Sequence, residues 1–199
     1  MNTADGINRK PSMKNTAFYL IGPPGVGKYT VGKIIAERTG AKLVDNHYAI
    51  NPIFALIEQD GRTPVPAEVW PQVGKVRSAV LETIATVSPR DWSFVFTHAA
   101  SDDPSDAATC REILSTAERR RAKVIVARLH CTADELARRV LSPERRSMMK
   151  ETDPDAARIN AVAPVFDPGH ANVIDIHTTT KTPVEVADII IEAAGKLQP

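Results

Sequence analysis

A glycine-rich segment near the amino terminus carries the most specific chemistry in the sequence. Residues 22–30 read GPPGVGKYT, which contains the spacing G-x-x-x-x-G-K. Glycine adopts backbone conformations closed to other residues, so successive N–H groups can surround a phosphate chain while the lysine reaches the β- and γ-phosphates. The alternative is a turn that only reverses the chain. We predict that a nucleoside triphosphate binds here, with contacts from Gly22, Gly25, Val26, Gly27, Lys28, Tyr29 and Thr30.

The residue after the lysine departs from the usual pattern. Loops of this kind carry Ser or Thr there, whose hydroxyl binds Mg²⁺. This chain has Tyr29, whose phenol extends too far to replace that hydroxyl, and Thr30 follows it. The loop G-x-P-G-x-G-K-x-T resembles that of nucleoside monophosphate kinases. That resemblance implies that Thr30 supplies the hydroxyl near the phosphates and that waters and the nucleotide supply further magnesium ligands. Tyr29 either packs on a neighbouring helix or stacks on a base.

Polar residues follow the second predicted strand. They are Asp45, Asn46 and His47, and the carboxyl ends of strands are where α/β sheets bind ligands. An aspartate there can hold a metal-bound water or accept a proton from an attacking hydroxyl. We predict that Asp45 is both catalytic and a magnesium ligand, against the alternative of a loop or helix cap. His47, and His98 at the end of the third predicted strand, are left open between site and structural roles.

A basic segment lies further along the chain. Residues 138–150 contain five Lys or Arg and one Glu, although the whole chain has a formal net charge of only +1. Pro143 interrupts the helical pattern, which favours a hinged flap over a rigid rod. Phosphoryl transfer needs positive donors on the migrating group, so we assign Arg139, Arg145 and Arg146 to that role. The alternatives are a solvated helix face and contact with RNA.

The elements that must position these residues alternate along the chain. Short runs rich in Val, Ile and Phe predict strands, and helical patterns lie between them. Near-continuous apolar strands are typical of a parallel sheet covered on both faces, so we predict a three-layer α/β domain with a mainly parallel five-stranded sheet. Helix caps are expected at Thr132, Thr182 and Asp103. The predicted strands are 17–21, 42–44, 92–97, 123–130 and 173–176.

Length and composition limit the function classes. A chain of 199 residues, 43% hydrophobic and 25% charged, fits one globular domain, predicted here over 16–199 after a disordered leader at 1–15. The balanced charge argues against a nucleic-acid partner, and no apolar run approaches the ~20 residues that span a bilayer. We expect a cytoplasmic protein without a membrane partner, whose Cys110 and Cys131 are reduced thiols.

The motifs together resemble one enzyme superfamily. G-x-P-G-x-G-K-x-T at 22–30 resembles the loop of nucleoside monophosphate kinases, the aspartate after the second strand resembles that of shikimate kinase, and Leu136-x-x-Arg139 with the following arginine pair resembles their lid. The resemblance implies a P-loop kinase that uses ATP and Mg²⁺. It also implies an acceptor-binding insertion at about 48–90 and a lid at about 138–152.

The predicted function is transfer of the γ-phosphate from ATP to a hydroxyl or phosphate of a small-molecule acceptor. Two alternatives remain at this point. One is a nucleotide-binding switch or adaptor with slow hydrolysis, because Tyr29 replaces a magnesium ligand and the third predicted strand ends without an aspartate. The other is an RNA-end kinase, which would need the lid and insertion to form one groove. The sequence does not predict the acceptor or the oligomeric state.

Overall fold

A computed structural model describes residues 13–57, 59–100 and 104–198 of the chain. In these residues a five-stranded sheet has the order β2-β3-β1-β4-β5, with every neighbouring pair parallel. The predicted fold class, a three-layer α/β domain with a parallel five-stranded sheet, is confirmed. The strands are Thr16–Ile21 (β1), Lys42–Val44 (β2), Phe94–His98 (β3), Lys123–His130 (β4) and Val173–His177 (β5).

Helices cover both faces of the sheet. The described helices are Lys28–Thr39 (α1), His47–Phe54 (α2), Val69–Thr86 (α3), Pro104–Arg119 (α4), Ala133–Val140 (α5), Pro143–Ser147 (α6), Pro154–Val162 (α7) and Pro183–Gly195 (α8). Successive strand side chains point to opposite faces, so Phe18 and Leu20 of β1 pack in one core with α1 and α8. Tyr19 and Ile21 pack in the other with α3 and α4.

Several elements differ from the predicted ones, and for two of them the local contacts give the reason. The third strand begins at Phe94 rather than at residue 92, because the amide of Trp92 donates to the Pro89 carbonyl in a turn. The sequence pattern gave no helix at α7. The sequence nevertheless contains the start of this helix, an Asp followed by a Pro at 153–154. In the structure the Asp153 carboxylate accepts the Asp155 amide at 2.9 Å, and Pro154 occupies the first turn.

The predicted helix caps have three different outcomes. At Thr182 the reciprocal bonds with Glu185 form, so this prediction is confirmed. At Thr132 the predicted helix start is confirmed, since Thr132 is the N-cap of α5. The predicted bonds are absent, because the hydroxyl makes no capping bond and the Glu135 carboxylate is held by two arginines instead. The cap at Asp103 lies outside the described residues.

In the described ranges no helix combines the length and apolar character needed to cross a bilayer.

Only the end of the predicted leader is described, since residues 1–12 fall outside the described ranges. The Asn15 side chain donates to the backbone carbonyls of Arg120 and Arg121 at 3.1 and 2.9 Å, at the end of α4. Arg120 is buried there, 3% exposed, and its guanidinium donates to four carbonyls between residues 84 and 92. It also lies 4.9 Å from the centre of the Phe94 ring. This side chain joins the end of α3 to the start of β3.

We expect Arg120→Ala to lower the free energy of unfolding by about 2–4 kcal/mol, because it leaves one buried and three partly buried carbonyls without this donor. Denaturant unfolding measures the change. Arg119→Ala is the matched control, since Arg119 makes an exposed pair with Glu82 at 2.6 Å. Because water screens this exposed pair, Arg119→Ala should change the free energy of unfolding much less than Arg120→Ala does. Equal losses in the two variants would contradict the role assigned to Arg120.

Candidate functional site

The carboxyl ends of β1, β2 and β3 open into one cavity of about 1330 Å³. Besides residues of α4 and of the segment after β5, its walls include three separate stretches of the chain: the glycine-rich loop, the insertion between β2 and β3, and the basic segment after α5. All three were expected from the sequence to belong to a site. The fold therefore brings together residues that are distant in the sequence.

The glycine-rich loop connects β1 to α1. Gly22 has φ +149°, and a Cβ there would lie 2.4 Å from the Leu129 carbonyl oxygen, so the loop leaves the sheet where only glycine fits. Lys28 folds back over this loop, and its Nζ donates to the carbonyls of Gly22 and Pro23 at 2.5 and 2.9 Å. Its ammonium is thus placed at the loop, and the axis of α1 points into the same space.

Burial lowers the pKa of Lys28 to about 7. The positive charges of Arg145 and Lys150 act in the same direction, and the Asp45 carboxylate partly opposes them. A lysine in this state is only partly protonated at neutral pH. An anion bound in the loop would favour the protonated form.

Asp45 is 5% exposed, directly after β2, and both of its carboxylate oxygens have partners. The Thr97 hydroxyl at the end of β3 donates to Oδ1, and Lys150 Nζ donates to Oδ2 at 3.2 Å. The Asn46 amide donates in turn to Thr97 Oγ1 at 3.1 Å. The carboxylate is therefore fixed in place at the wall of the cavity.

Lys150 is 8% exposed, and its Nζ lies 4.3 Å from the centre of the Tyr29 ring. Burial lowers the pKa of Lys150, and Asp45 opposes this shift. Tyr29 thus makes a cation–π contact with the basic segment, which neither interpretation of the sequence included. Thr30 is exposed on α1 and also lines the cavity.

Two of the three predicted arginines reach the cavity. Arg139 lines it while its Nε donates to Glu135 at 2.7 Å and its guanidinium donates to the Thr178 carbonyl at 2.9 Å. Arg145 also lines it, with Nε donating to the Glu151 carbonyl at 2.8 Å, and burial lowers its pKa. Arg146 is exposed and does not line the cavity. The catalytic roles of all three remain predictions.

Both histidines line the cavity and have protein partners. His47 Nδ1 lies 2.9 Å from Asn51 Oδ1, and burial lowers the His47 pKa. His98 is buried between the Tyr19 hydroxyl, 2.9 Å from Nδ1, and Asp106, 3.3 Å from Nε2. Burial lowers its pKa as well. The geometry favours structural roles for both.

The insertion supplies another part of the wall through α2 and α3. Arg77 donates to Thr109 Oγ1 at 2.8 Å and to Asn46 Oδ1 at 3.3 Å, while its buried Nε has no partner. The Trp70 ring lines the cavity and meets Phe54 edge-on, with the ring centres 6.0 Å apart. From the sequence alone Arg77 could equally be a solvated residue, because the helical pattern did not define which face of α3 met the sheet.

The basic segment rests on the insertion at Gly61. The Thr152 amide donates to the Gly61 carbonyl at 3.0 Å, and Gly61 has φ +78°. A Cβ on Gly61 would lie 2.4 Å from the Lys150 carbonyl oxygen. The two backbones therefore approach each other at a point where only glycine leaves room.

We expect Gly61→Ala to raise the hydrogen-exchange rate of the Thr152 amide by about tenfold, because the new methyl group forces this contact apart. Exchange measured by NMR or mass spectrometry tests this. Gly169→Ala is the control: Gly169 also has positive φ, +64°, but an added Cβ there meets nothing within 4 Å. Unchanged exchange in Gly61→Ala, or the same increase in both variants, would argue against the contact.

Comparison with known proteins identifies solved structures that share this fold. No protein-family model matches the sequence, and no curated protein matches it. Among solved structures, a putative kinase from Chloroflexus aurantiacus J-10-fl is similar with a TM-score of 0.66 and 14% identity, over 92% of this chain and all of that one. A gluconokinase from Sinorhizobium meliloti 1021 gives 0.58 and 17%, covering 95% and 94%. Shikimate kinase from Acinetobacter baumannii, in complex with shikimate, gives 0.53 and 17%, covering 92% and 96%. The chain has the fold of these small-molecule kinases.

Proposed function

We propose that this protein is an ATP-dependent phosphotransferase acting on a hydroxyl or phosphate group of a small molecule. The observation that carries the proposal is the position of Asp45, a buried carboxylate at the wall of the cavity that also holds the glycine-rich loop and Lys28. Donor and acceptor can occupy the two ends of this cavity together. The kinases with the same fold support the reaction class.

In the proposed reaction the acceptor oxygen forms a bond to the γ-phosphorus as the bond to the bridging oxygen of ADP breaks. Lys28 stabilises the β- and γ-phosphates, and Arg139 and Arg145 stabilise the charge that spreads over the migrating group. The Asp45 carboxylate orients an acceptor hydroxyl and takes its proton. Arg146 has no part in this version of the site, since it lies outside the cavity.

The acceptor end suggests the chemistry of the second substrate. Arg77 lines the cavity with its guanidinium bonded to Asn46 and Thr109, so its positive charge would suit a carboxylate or phosphate of the second substrate. Trp70 lines the cavity as an apolar surface. We infer that the second substrate is a small polar molecule that carries a hydrogen-bond acceptor or an anionic group.

The residues present do not fit a magnesium ion held directly by the protein. Tyr29 presents its ring to Lys150, and both Asp45 oxygens already accept hydrogen bonds. In the described ranges no group of three or more His, Cys, Asp or Glu residues is arranged to hold a metal. The predicted magnesium ligands Thr30 and Asp45 are therefore left out of the proposed mechanism, in which Asp45 acts only on the acceptor hydroxyl.

A nucleotide-dependent switch is the second candidate. It is favoured by one observation, namely that Lys150 holds the carboxylate that the kinase mechanism needs as a base. In a switch this ion pair would persist with nucleotide bound, and the output would be a partner interaction. Turnover distinguishes the two candidates.

We expect ADP formation from ATP to rise when the correct acceptor is supplied from a panel of hydroxyl- and phosphate-bearing metabolites. Lys28→Met should reduce this turnover by about 100-fold or more, because it removes a charge from the developing transition state. Lys33→Met, an exposed lysine on the same helix, is the matched control and should retain activity. Nucleotide-dependent capture of a partner without turnover would favour the switch, and unchanged nucleotide affinity in Lys28→Met would contradict the role of the loop.

We also expect the protein to take up about one proton when it binds ADP at pH 8. The pKa of Lys28 is lowered to about 7 by burial, so the free side chain is mostly neutral at that pH. Phosphates raise its pKa on binding, so a proton enters, and the uptake should shrink as the pH falls through 7. Calorimetry in buffers of different ionisation enthalpy measures the number of protons. Proton release, or a buffer-independent heat at pH 8, would contradict this.

A further inference from the structure

Lys150 lies where two parts of the site meet. Its ammonium faces the ring of Tyr29, the residue directly after Lys28, at 4.3 Å. The same Nζ donates to Asp45 Oδ2 at 3.2 Å. One cation therefore connects the start of α1 with the end of β2, although Lys150 comes from the basic segment 105 residues after Asp45.

These two positions have a common chemical meaning in phosphate loops. The residue after the lysine normally gives Mg²⁺ a hydroxyl, and a carboxylate at a strand end can hold a metal-bound water. Here the first position is an aromatic ring and the second is a carboxylate already paired with an ammonium. An aromatic face and a carboxylate both stabilise a monovalent cation such as an ammonium ion.

The backbone around Lys150 holds this ammonium in place. The Lys150 amide donates to the Arg145 carbonyl at 3.0 Å, and Met149 before it has φ +51°, so the chain makes a tight turn. The following Thr152 amide is bound to Gly61 of the insertion at 3.0 Å. The side chain itself is 8% exposed. Lys150 is thus a fixed part of the cavity wall and not a flexible surface lysine.

The charges around it leave an anion to be supplied. Lys28 and Arg145 are the neighbouring basic groups; Asp45 is the acid acting on Lys28 and Lys150, and Glu151 is the acid acting on Arg145. Three basic groups beside two carboxylates suit a polyphosphate, because its oxygens can pair with cations.

We propose that the ammonium of Lys150 takes the place that a protein-bound Mg²⁺ ion occupies in phosphate loops with Ser or Thr after the lysine. This rests on the proposed function, since it concerns how the same site neutralises a nucleotide. Lys150 is then a nucleotide-binding residue contributed by the basic segment. The protein binds the triphosphate without adding a metal ligand of its own.

The test compares the Kd of β,γ-imido-ATP in excess Mg²⁺ with its Kd in excess EDTA, measured by calorimetry. For the unaltered protein we expect the two values to agree within about threefold, because a charged contact of this kind already supplies the stabilisation. Lys150→Met should raise the Kd in EDTA by about tenfold or more and the Kd in Mg²⁺ by less. Lys75→Met, an exposed lysine of α3 outside the cavity wall, should change neither value.

Because Lys150→Met leaves a buried carboxylate unpaired, its thermal unfolding is measured beside the binding. Tyr29→Ser is the second variant: it keeps every charge, removes the ring and returns the usual hydroxyl, so binding should become stronger in Mg²⁺ than in EDTA. The proposal is overturned if the unaltered protein binds about tenfold or more weakly in EDTA, or if Tyr29→Ser shows no magnesium dependence. Binding that needs Mg²⁺ leaves the phosphotransferase proposal standing, whereas no binding in either condition overturns that proposal and this one with it.

Discussion

The electrostatics of the cavity depend on one buried carboxylate, that of Asp45, which lies near more than one basic side chain. Asp45 pairs with Lys150 and partly opposes the lowering of the Lys28 pKa, which burial and the neighbouring Arg145 and Lys150 produce. Removing such groups from water is costly unless partners compensate. The Lys28 ammonium finds partial compensation in two loop carbonyls. A bound anion with several negative charges would neutralise the remaining positive charge of the cavity.

The fold explains how these charges come together. Parallel strands end at one edge of the sheet, so the residues after β1, β2 and β3 meet there whatever their distance along the chain. The basic segment reaches that edge because α5 ends at Val140 and a new helix begins at Pro143. The resulting bend directs the chain back over the insertion, where it is fastened at Gly61. The insertion and the basic segment are therefore joined by a backbone contact, and the basic segment reaches the glycine-rich loop through the Lys150 and Arg139 side chains.

Features encoded by neighbouring residues could be predicted from the sequence. The glycine spacing at 22–30, the five strands and the position of Asp45 after β2 depend on local patterns, and the structure has them. Contacts between distant residues could not be predicted, and Lys150 is the clearest case, since it counted only as one charge of a basic run. Arg145 and Arg146 were equivalent in the sequence, yet adjacent helical residues point about 100° apart, and only Arg145 lines the cavity.

Tyr29 shows why a departure from a motif carries information. A lost hydroxyl, taken alone, suggests a weakened magnesium site and hence a degenerate loop. In the structure the Lys150 ammonium lies over the Tyr29 ring. The same ammonium contacts the Asp45 carboxylate, the group that could otherwise hold a metal-bound water. The ring of Tyr29 and the carboxylate of Asp45 are then a single arrangement, in which one cation contacts both. A local rule broken at a functional site is compensated elsewhere in the chain, and here the compensation comes from the basic segment.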